Sequence, residues 1–221
     1  MKTSNLIVLA GLALAGCVSV TVIGGHDTSA TRTLSAFDKV QTSRGIEVSM
    51  RCGPSPSALL RGEEDDLANT EVSVEDGVLT VRRSSMIGGY RGNVHVEVTA
   101  PGPLVRLSAS SGSSLEAPAC LISHDKLELA AASGATIHLA ADVRRLVADT
   151  GSGSTIRPLD GTRIDVADAE VDSGSGSTVR LCRVGKMKAS ASSGASITAE
   201  SVGSGDTSTS FGGGFSLRKC E

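Results

Sequence analysis

Ser111-Gly112-Ser113-Ser114-Leu115, Ser133-Gly134-Ala135-Thr136-Ile137, Ser152-Gly153-Ser154-Thr155-Ile156, Ser175-Gly176-Ser177-Thr178-Val179 and Ser193-Gly194-Ala195-Ser196-Ile197 are one phrase written five times. Its glycines stand 22, 19, 23 and 18 residues apart, so the phrase returns with a period of about 20. Self-similarity at such a period is the signature of a repeat architecture. Each copy has a small residue after the glycine, then a hydroxyl residue, then an aliphatic one.

The approach to each glycine alternates. Val105, Leu127, Leu146, Ala169 and Met187 stand seven residues before it, and Leu107, Leu129, Ala148, Val171 and Ala189 stand five before it. Between them lie Arg106, Glu128, Val147, Glu170 and Lys188. A period of two marks a strand with one buried face. Each repeat therefore supplies a strand, a Ser-Gly bend, a second strand and a variable connection. A unit this small cannot bury its apolar face alone, so the units stack. The expectation is an all-β fold, a single-stack parallel β-helix wound right-handed, with rungs of about 20 residues and an N-terminal β cap.

Stacking sets equivalent residues about 4.8 Å apart. The column Leu115, Ile137, Ile156, Val179 and Ile197 is expected to be the interior spine. The serines before the glycines are expected to form a ladder that passes hydroxyl hydrogen bonds between rungs, at a bend with no room for bulk. Each glycine there takes a positive φ or meets a neighbouring backbone. The composition fits a narrow interior: of 221 residues only 2 % are aromatic, with no Trp, one Tyr and three Phe, against 26 Gly. With 21 basic and 24 acidic residues the net charge is −3, which offers no basic field for nucleic acid.

Residues 1–16 read as an address. Lys2 precedes an apolar run from Leu6 to Leu14, the length of a signal-peptide core, and Leu14-Ala15-Gly16-Cys17 follows. This tetrapeptide resembles the bacterial lipobox, and the resemblance implies a mature protein beginning at Cys17, acylated there and held on a membrane. The run is too short for a spanning helix. Val18 is not the Asp that retains enterobacterial lipoproteins at the inner membrane, which favours the outer membrane. Residues 17–33 then read as lipidated cysteine and flexible tether, 34–103 as the first strands and cap, 104–206 as the Ser-Gly rungs, and 207–221 as a tail loosened by Gly212-Gly213-Gly214. Within the cap, Gly45 to Met50, Thr70 to Val74, Gly77 to Val81 and Val94 to Val98 read as strands. Glu63 to Asp66 read as a polar turn, and Asp76-Gly77 as a hairpin signal.

The ordered set Phe37…Val40, Arg44-Gly45-Ile46-Glu47-Val48, Val74…Asp76-Gly77-Val78-Leu79-Thr80-Val81, Val94 to Val98 with Pro101, and the repeated Ser-Gly phrase resembles the auto-transporter adhesin, head GIN domain family. The resemblance covers residues 34–205. It implies a β-helical protein exported by bacteria, often behind a lipoprotein signal, and it carries over no catalytic residue.

Beyond Cys17 stand Cys52, Cys120, Cys182 and Cys220. Four cysteines in an oxidising compartment allow three connectivities, and buried free thiols are the rival reading. Cys182 with Cys220 would pin the C-terminus and Cys52 with Cys120 would tie cap to first rung. Metal ligation by cysteine lacks the short spacing of a zinc site. Asp149 and Asp172 occupy one position in consecutive rungs, where two carboxylates could approach a calcium ion, with Asp165 and Asp168 in the loop between. Solvated surface acids are the commoner explanation, and no metal site is assigned. His26, His95, His124 and His138 are scattered and read as solvated.

A β-helical polysaccharide lyase or hydrolase needs converging carboxylates. The outward column four residues after each glycine instead reads Glu116, His138, Arg157, Arg180 and Thr198. The expectation is therefore a non-catalytic, membrane-anchored envelope module, adhesin-like, with a glycan or other envelope component as partner and no cofactor. Envelope sensing or maintenance is the third class, which these residues do not separate from adhesion.

Overall fold

The computed structural model describes residues 19–22, 27–84 and 92–220. The apolar run, Cys17, His26 and Tyr90 lie outside them. The chain begins with β1 (Ser19–Val22), β2 (Asp27–Thr33), β3 (Lys39–Ser43), β4 (Glu47–Cys52), β5 (Ser57–Glu63), a short helix α1 (Glu64–Ala68), β6 (Thr70–Glu75), β7 (Val78–Arg83) and β8 (His95–Ala100). Strand pairs then follow in repetition: β9 (Arg106–Ala109) with β10 (Ser114–Ala117), β11 (Lys126–Ala131) with β12 (Thr136–Leu139), and β13 (Ala141–Thr150) with β14 (Thr155–Pro158). The last three pairs are β15 (Ile164–Ser173) with β16 (Thr178–Arg180), β17 (Arg183–Ala191) with β18 (Ser196–Ala199), and β19 (Ser201–Thr209) with β20 (Gly214–Leu217).

These strands form two sheets facing each other across one core, the parallel β-solenoid expected. The first sheet runs β1-β2-β5-β8-β4-β10-β12-β14-β16-β18-β20 and the second β19-β17-β15-β13-β11-β9-β3-β7-β6. The aliphatic column is in register: Leu115 pairs with Ile137, then Ile156, Val179 and Ile197, and Phe215 continues it. Leu115, Ile137, Ile156, Val179 and Ile197 are all fully buried. Steps of 22, 19, 23, 18 and 18 residues along this column are absorbed by the connections between rungs.

The Ser-Gly bend works differently from expectation. In all five copies the serine φ lies between 52° and 54° and the glycine φ between 69° and 76°, two successive left-handed residues. That pairing turns a strand back tightly, and glycine adopts it without a Cβ penalty. The ladder is made by backbone: the N–H of Gly112, Gly134 and Gly153 each donates at 2.9 Å to the carbonyl of the next rung's bend serine. The serine side chains point to water and bulk is tolerated, since Arg44-Gly45 and Phe211-Gly212 make the same bend. The size restriction falls one residue after the glycine, where Ser113, Ala135, Ser154, Ser177 and Ala195 are at most 2 % exposed. There the hydroxyls of Ser113, Ser154 and Ser177 each donate to a backbone carbonyl at 2.7 Å.

Four further segments depart from expectation. Residues 27–33 are a strand, not tether, because β5 offers a free antiparallel edge along its whole length. The acidic stretch enters α1, where Asp66 is buried with the guanidinium of Arg83 at 2.7 Å rather than solvated. Residues 207–217 complete a further rung, because β19 and β20 find parallel partners in β17 and β18. Finally, chain order is not stack order: the β3–β4 rung lies between β7–β8 and β9–β10.

The cap is antiparallel. β5 pairs against β8, β2 against β5, β1 against β2, and β6 against β7 through the Asp76-Gly77 turn. Two disulfides complete the fold, Cys52–Cys120 and Cys182–Cys220. They follow the pairing that joins cap to first rung and pins the C-terminus.

Candidate binding surface

Side chains that point away from the core line up because the rungs are in register. On the first sheet Ser114, Thr136, Thr155, Thr178 and Ser196 form an unbroken hydroxyl column, each paired with the next. All five are partly exposed, and none has a hydrogen bond from its side chain among the described residues. Their donors and acceptors face water at the spacing of strands, about 4.8 Å.

Beside it runs Glu116, His138, Arg157, Arg180 and Thr198. Register pairs Glu116 with His138, His138 with Arg157 and Arg180 with Thr198. Arg157 Nε donates to His138 Nε2 at 2.8 Å, which makes that nitrogen an acceptor and leaves Nδ1 toward Glu116 at 3.5 Å. Arg157 Nη1 also reaches Asp160 at 3.1 Å. Burial, and then the charge of Arg157, hold the His138 imidazole below the usual histidine range against the opposing pull of Glu116. The chain of contacts fixes Arg157 beside the hydroxyl column. Thr198 is buried rather than outward-exposed.

The second sheet carries a mixed-charge groove of about 650 Å³, bordered by Arg145, Asp168, Glu170, Lys186, Lys188 and Asp206. Lys188 pairs with Glu170 at 3.0 Å. Asp165 and Asp168, expected in a loop, lie within β15, because the strand pairs with β13 along nine positions. Burial raises the Asp165 carboxyl, but hydrogen bonds from the Arg183 side chain and backbone and the charge of Arg163 outweigh it and hold it below the ordinary carboxylate range. Asp149 and Asp172 do stack in register, both exposed. No group of three or more His, Cys, Asp or Glu side chains suited to a metal occurs among the described residues.

His95 shares a 3.0 Å hydrogen bond with Ser49, and His124 Nδ1 lies 2.8 Å from the carbonyl of Asp142. In register His95 continues the Ser114 column beyond Glu47. What sequence reasoning missed is interior: Thr150, Ser173 and Ser177 form a buried hydroxyl triangle with sides of 2.9, 3.1 and 2.8 Å. Alternation places Thr150 and Ser173 inward, but it does not tell that their partner is the residue after a bend glycine.

The model of the family described as "putative auto-transporter adhesin, head GIN domain" matches residues 36–218. The chain belongs to that family. Solved structures of similar shape include a "putative adhesin" from Bacteroides fragilis, at TM-score 0.65 and 12 % identity over 86 % of this chain and 95 % of that one. A "putative lipid binding protein" from Parabacteroides distasonis aligns at TM-score 0.55 and 13 % identity, over 89 % and 98 %. A "putative adhesin" from the same species aligns at 0.51 and 12 %, over 85 % and 97 %. At such identities the likeness is one of fold. No curated protein sequence matches the chain significantly. No helix among the described residues is long and apolar enough to cross a membrane.

Proposed function

We propose that the chain is a lipid-anchored, non-catalytic module of the bacterial envelope that binds an extended polar partner along the outer face of its first sheet. The observation that carries this reading is the hydroxyl column from Ser114 to Ser196, in register over five rungs and without side-chain hydrogen-bond partners among the described residues. A polymer lying along the stack axis would meet a hydroxyl at every rung, with Arg157 and Arg180 alongside to receive acidic groups. A glycan or other envelope polymer has this chemistry. The family description supports an adhesin-like role.

The anchor is read from Leu14-Ala15-Gly16-Cys17, with the thiol of Cys17 as the acylated group and the outer membrane as destination. Two or more acyl chains hold such a protein stably. The stacked acids Asp149 and Asp172 sit exposed on the opposite sheet, which supports a solvated pair rather than a general acid and base.

The test is a glycan array probed with the wild-type chain and with the Thr136→Val, Thr155→Val, Thr178→Val variant. Enrichment that the triple variant loses supports the face; absence of enrichment over a denatured control removes the carbohydrate reading. Separately, Cys17→Ser is expected to abolish labelling by a fatty acid and to release the protein from the membrane fraction. Labelling that persists would refute the anchor.

A further inference from the structure

The two ends of the stack are finished differently. At one end the sheets finish in antiparallel strands, with β1 outermost in the first and β6, which carries Glu71 and Glu75, outermost in the second, and helix α1 packs on β2 and β5. At the other, β19 pairs only with β17 and β20 only with β18 among the described residues, so within them both sheets stop with a row of unpaired backbone groups. Such edges normally carry lysine, proline or a covering segment that discourages pairing. Here Ser201–Thr209 and Gly214–Leu217 contain one charged residue, Asp206, and no Lys, Arg or Pro.

Apolar surface collects at the same end. Phe211 is 89 % and Leu217 62 % exposed, and these are the exposed large hydrophobic side chains of the described residues. Both belong to the final rung. Phe215 and Val202 are only partly buried against the core. The segments outside the described residues, apart from Glu221, join the chain before β2 or between β7 and β8, at the capped end.

We infer that the bare C-terminal rung, β19 and β20 with Phe211 and Leu217, is the surface by which two copies of this chain join end to end. The opposite end presents the antiparallel strands β1 and β6, the latter with Glu71 and Glu75, instead of a matching parallel rung, which favours a closed two-fold pair over head-to-tail stacking into a fibre. A two-fold axis perpendicular to the stack sets the terminal strands of one copy antiparallel to those of the other. In the arrangement centred on Gly205, Asp206 faces Ser204 of the second copy, so the one charge on these edges meets no like charge. The size is adequate. A nine-residue strand is roughly 30 Å long, and two sheets with their side chains are roughly 20 Å across. Two such faces would bury on the order of 1,200 Å², the lower end of the range for specific interfaces. This inference does not depend on the anchor or on the polymer-binding face.

Sedimentation equilibrium of the full chain, held in a density-matched non-ionic detergent from about 1 to about 100 μM, tests it over the range a small interface calls for. The expected result is a monomer–dimer equilibrium that Phe211→Arg with Leu217→Arg weakens at least tenfold without lowering the melting temperature. Ser208→Lys, exposed on the same edge, is expected to weaken it too and serves if the arginine pair does not fold. Glu75→Arg, on the capped edge, is expected to leave the equilibrium unchanged. A wild-type chain that stays single throughout, or a dimer that ignores the edge substitutions or is lost on Glu75→Arg, overturns the proposal.

Discussion

Replacing Ile156 by alanine tests the register on which the architecture rests. Ile156 is fully buried in the middle of the spine, with Ile137 below and Val179 above. The substitution removes three carbons, about 2.5 kcal/mol of transfer free energy at about 0.8 kcal/mol per group. Neighbouring rungs are held by their own backbone ladders and cannot close the gap, so a cavity contribution brings the expected loss to about 2–5 kcal/mol. That is a large part of the 5–15 kcal/mol typical of a domain. Urea unfolding followed by far-ultraviolet circular dichroism measures it, with Thr155→Ala as the internal comparison. Thr155 is the adjacent residue on the outward face, and its truncation is expected to cost about 0.5 kcal/mol or less. Equal losses for the two variants, or a loss below about 1 kcal/mol for Ile156→Ala, would refute the assignment of inside and outside. Ile156→Asp, which adds an unpaired charge to the same space, is expected to prevent folding.

Other consequences can be measured in the same way. Asp66→Ala removes the carboxylate that faces the buried Arg83, and the expected cost is about 3–5 kcal/mol; a change under about 1 kcal/mol would mean that the ion pair is dispensable. Because the folded-state pKa of His138 is depressed, its neutral form is favoured by folding. Stability from this group is therefore present above the unfolded value near 6.5 and declines as pH falls through it toward the folded value, so His138→Gln should flatten the pH dependence there. Asp165 obeys the same sign at lower pH: its contribution holds above the unfolded value near 3.9 and is lost as pH falls through the folded one, a decline that Asp165→Asn should remove from acid titrations. Replacing Cys52 and Cys120 together by serine opens a 68-residue loop, and the loop-entropy relation gives a loss of about 4 kcal/mol; unchanged urea midpoints would argue that the unfolded chain is not expanded by the change.

The repeat was legible because its physics is local and periodic. A bend needs glycine, the next position needs a small side chain, and the spine needs aliphatics, so each requirement leaves a mark at a fixed offset. Where a rung keeps the geometry but changes the letters, as at Arg44-Gly45 and Phe211-Gly212, the phrase no longer matches although the φ angles do. The serine before the glycine misled for a related reason: repetition implies a shared constraint, but the constraint was the backbone conformation and not contact by the hydroxyl. β2 escaped notice because Asp27–Thr33 is polar, with few buried side chains to impose alternation. Asp66 reads as solvent-facing among four acids because its partner Arg83 is 17 residues away. The outward columns of the candidate face were visible once the register was known, since they are the other half of the alternation. That the hydroxyl column lacks internal partners among the described residues while Glu116, His138 and Arg157 bind one another required coordinates.

The displaced position of β3–β4 also matters for how the molecule is made. Residues 39–52 leave the ribosome, and enter any export channel, before both of the segments that will flank them. Until residue 117 has arrived, this rung has at least one naked flank, whereas every later repeat can lay itself on a finished predecessor like a course of bricks. Assembly of the first rungs therefore waits on residues that arrive later, whereas its continuation does not, and a chaperone would have most to shield in the first half of the chain. The Cys52–Cys120 bond then acts as a latch thrown once the late-arriving neighbour is seated.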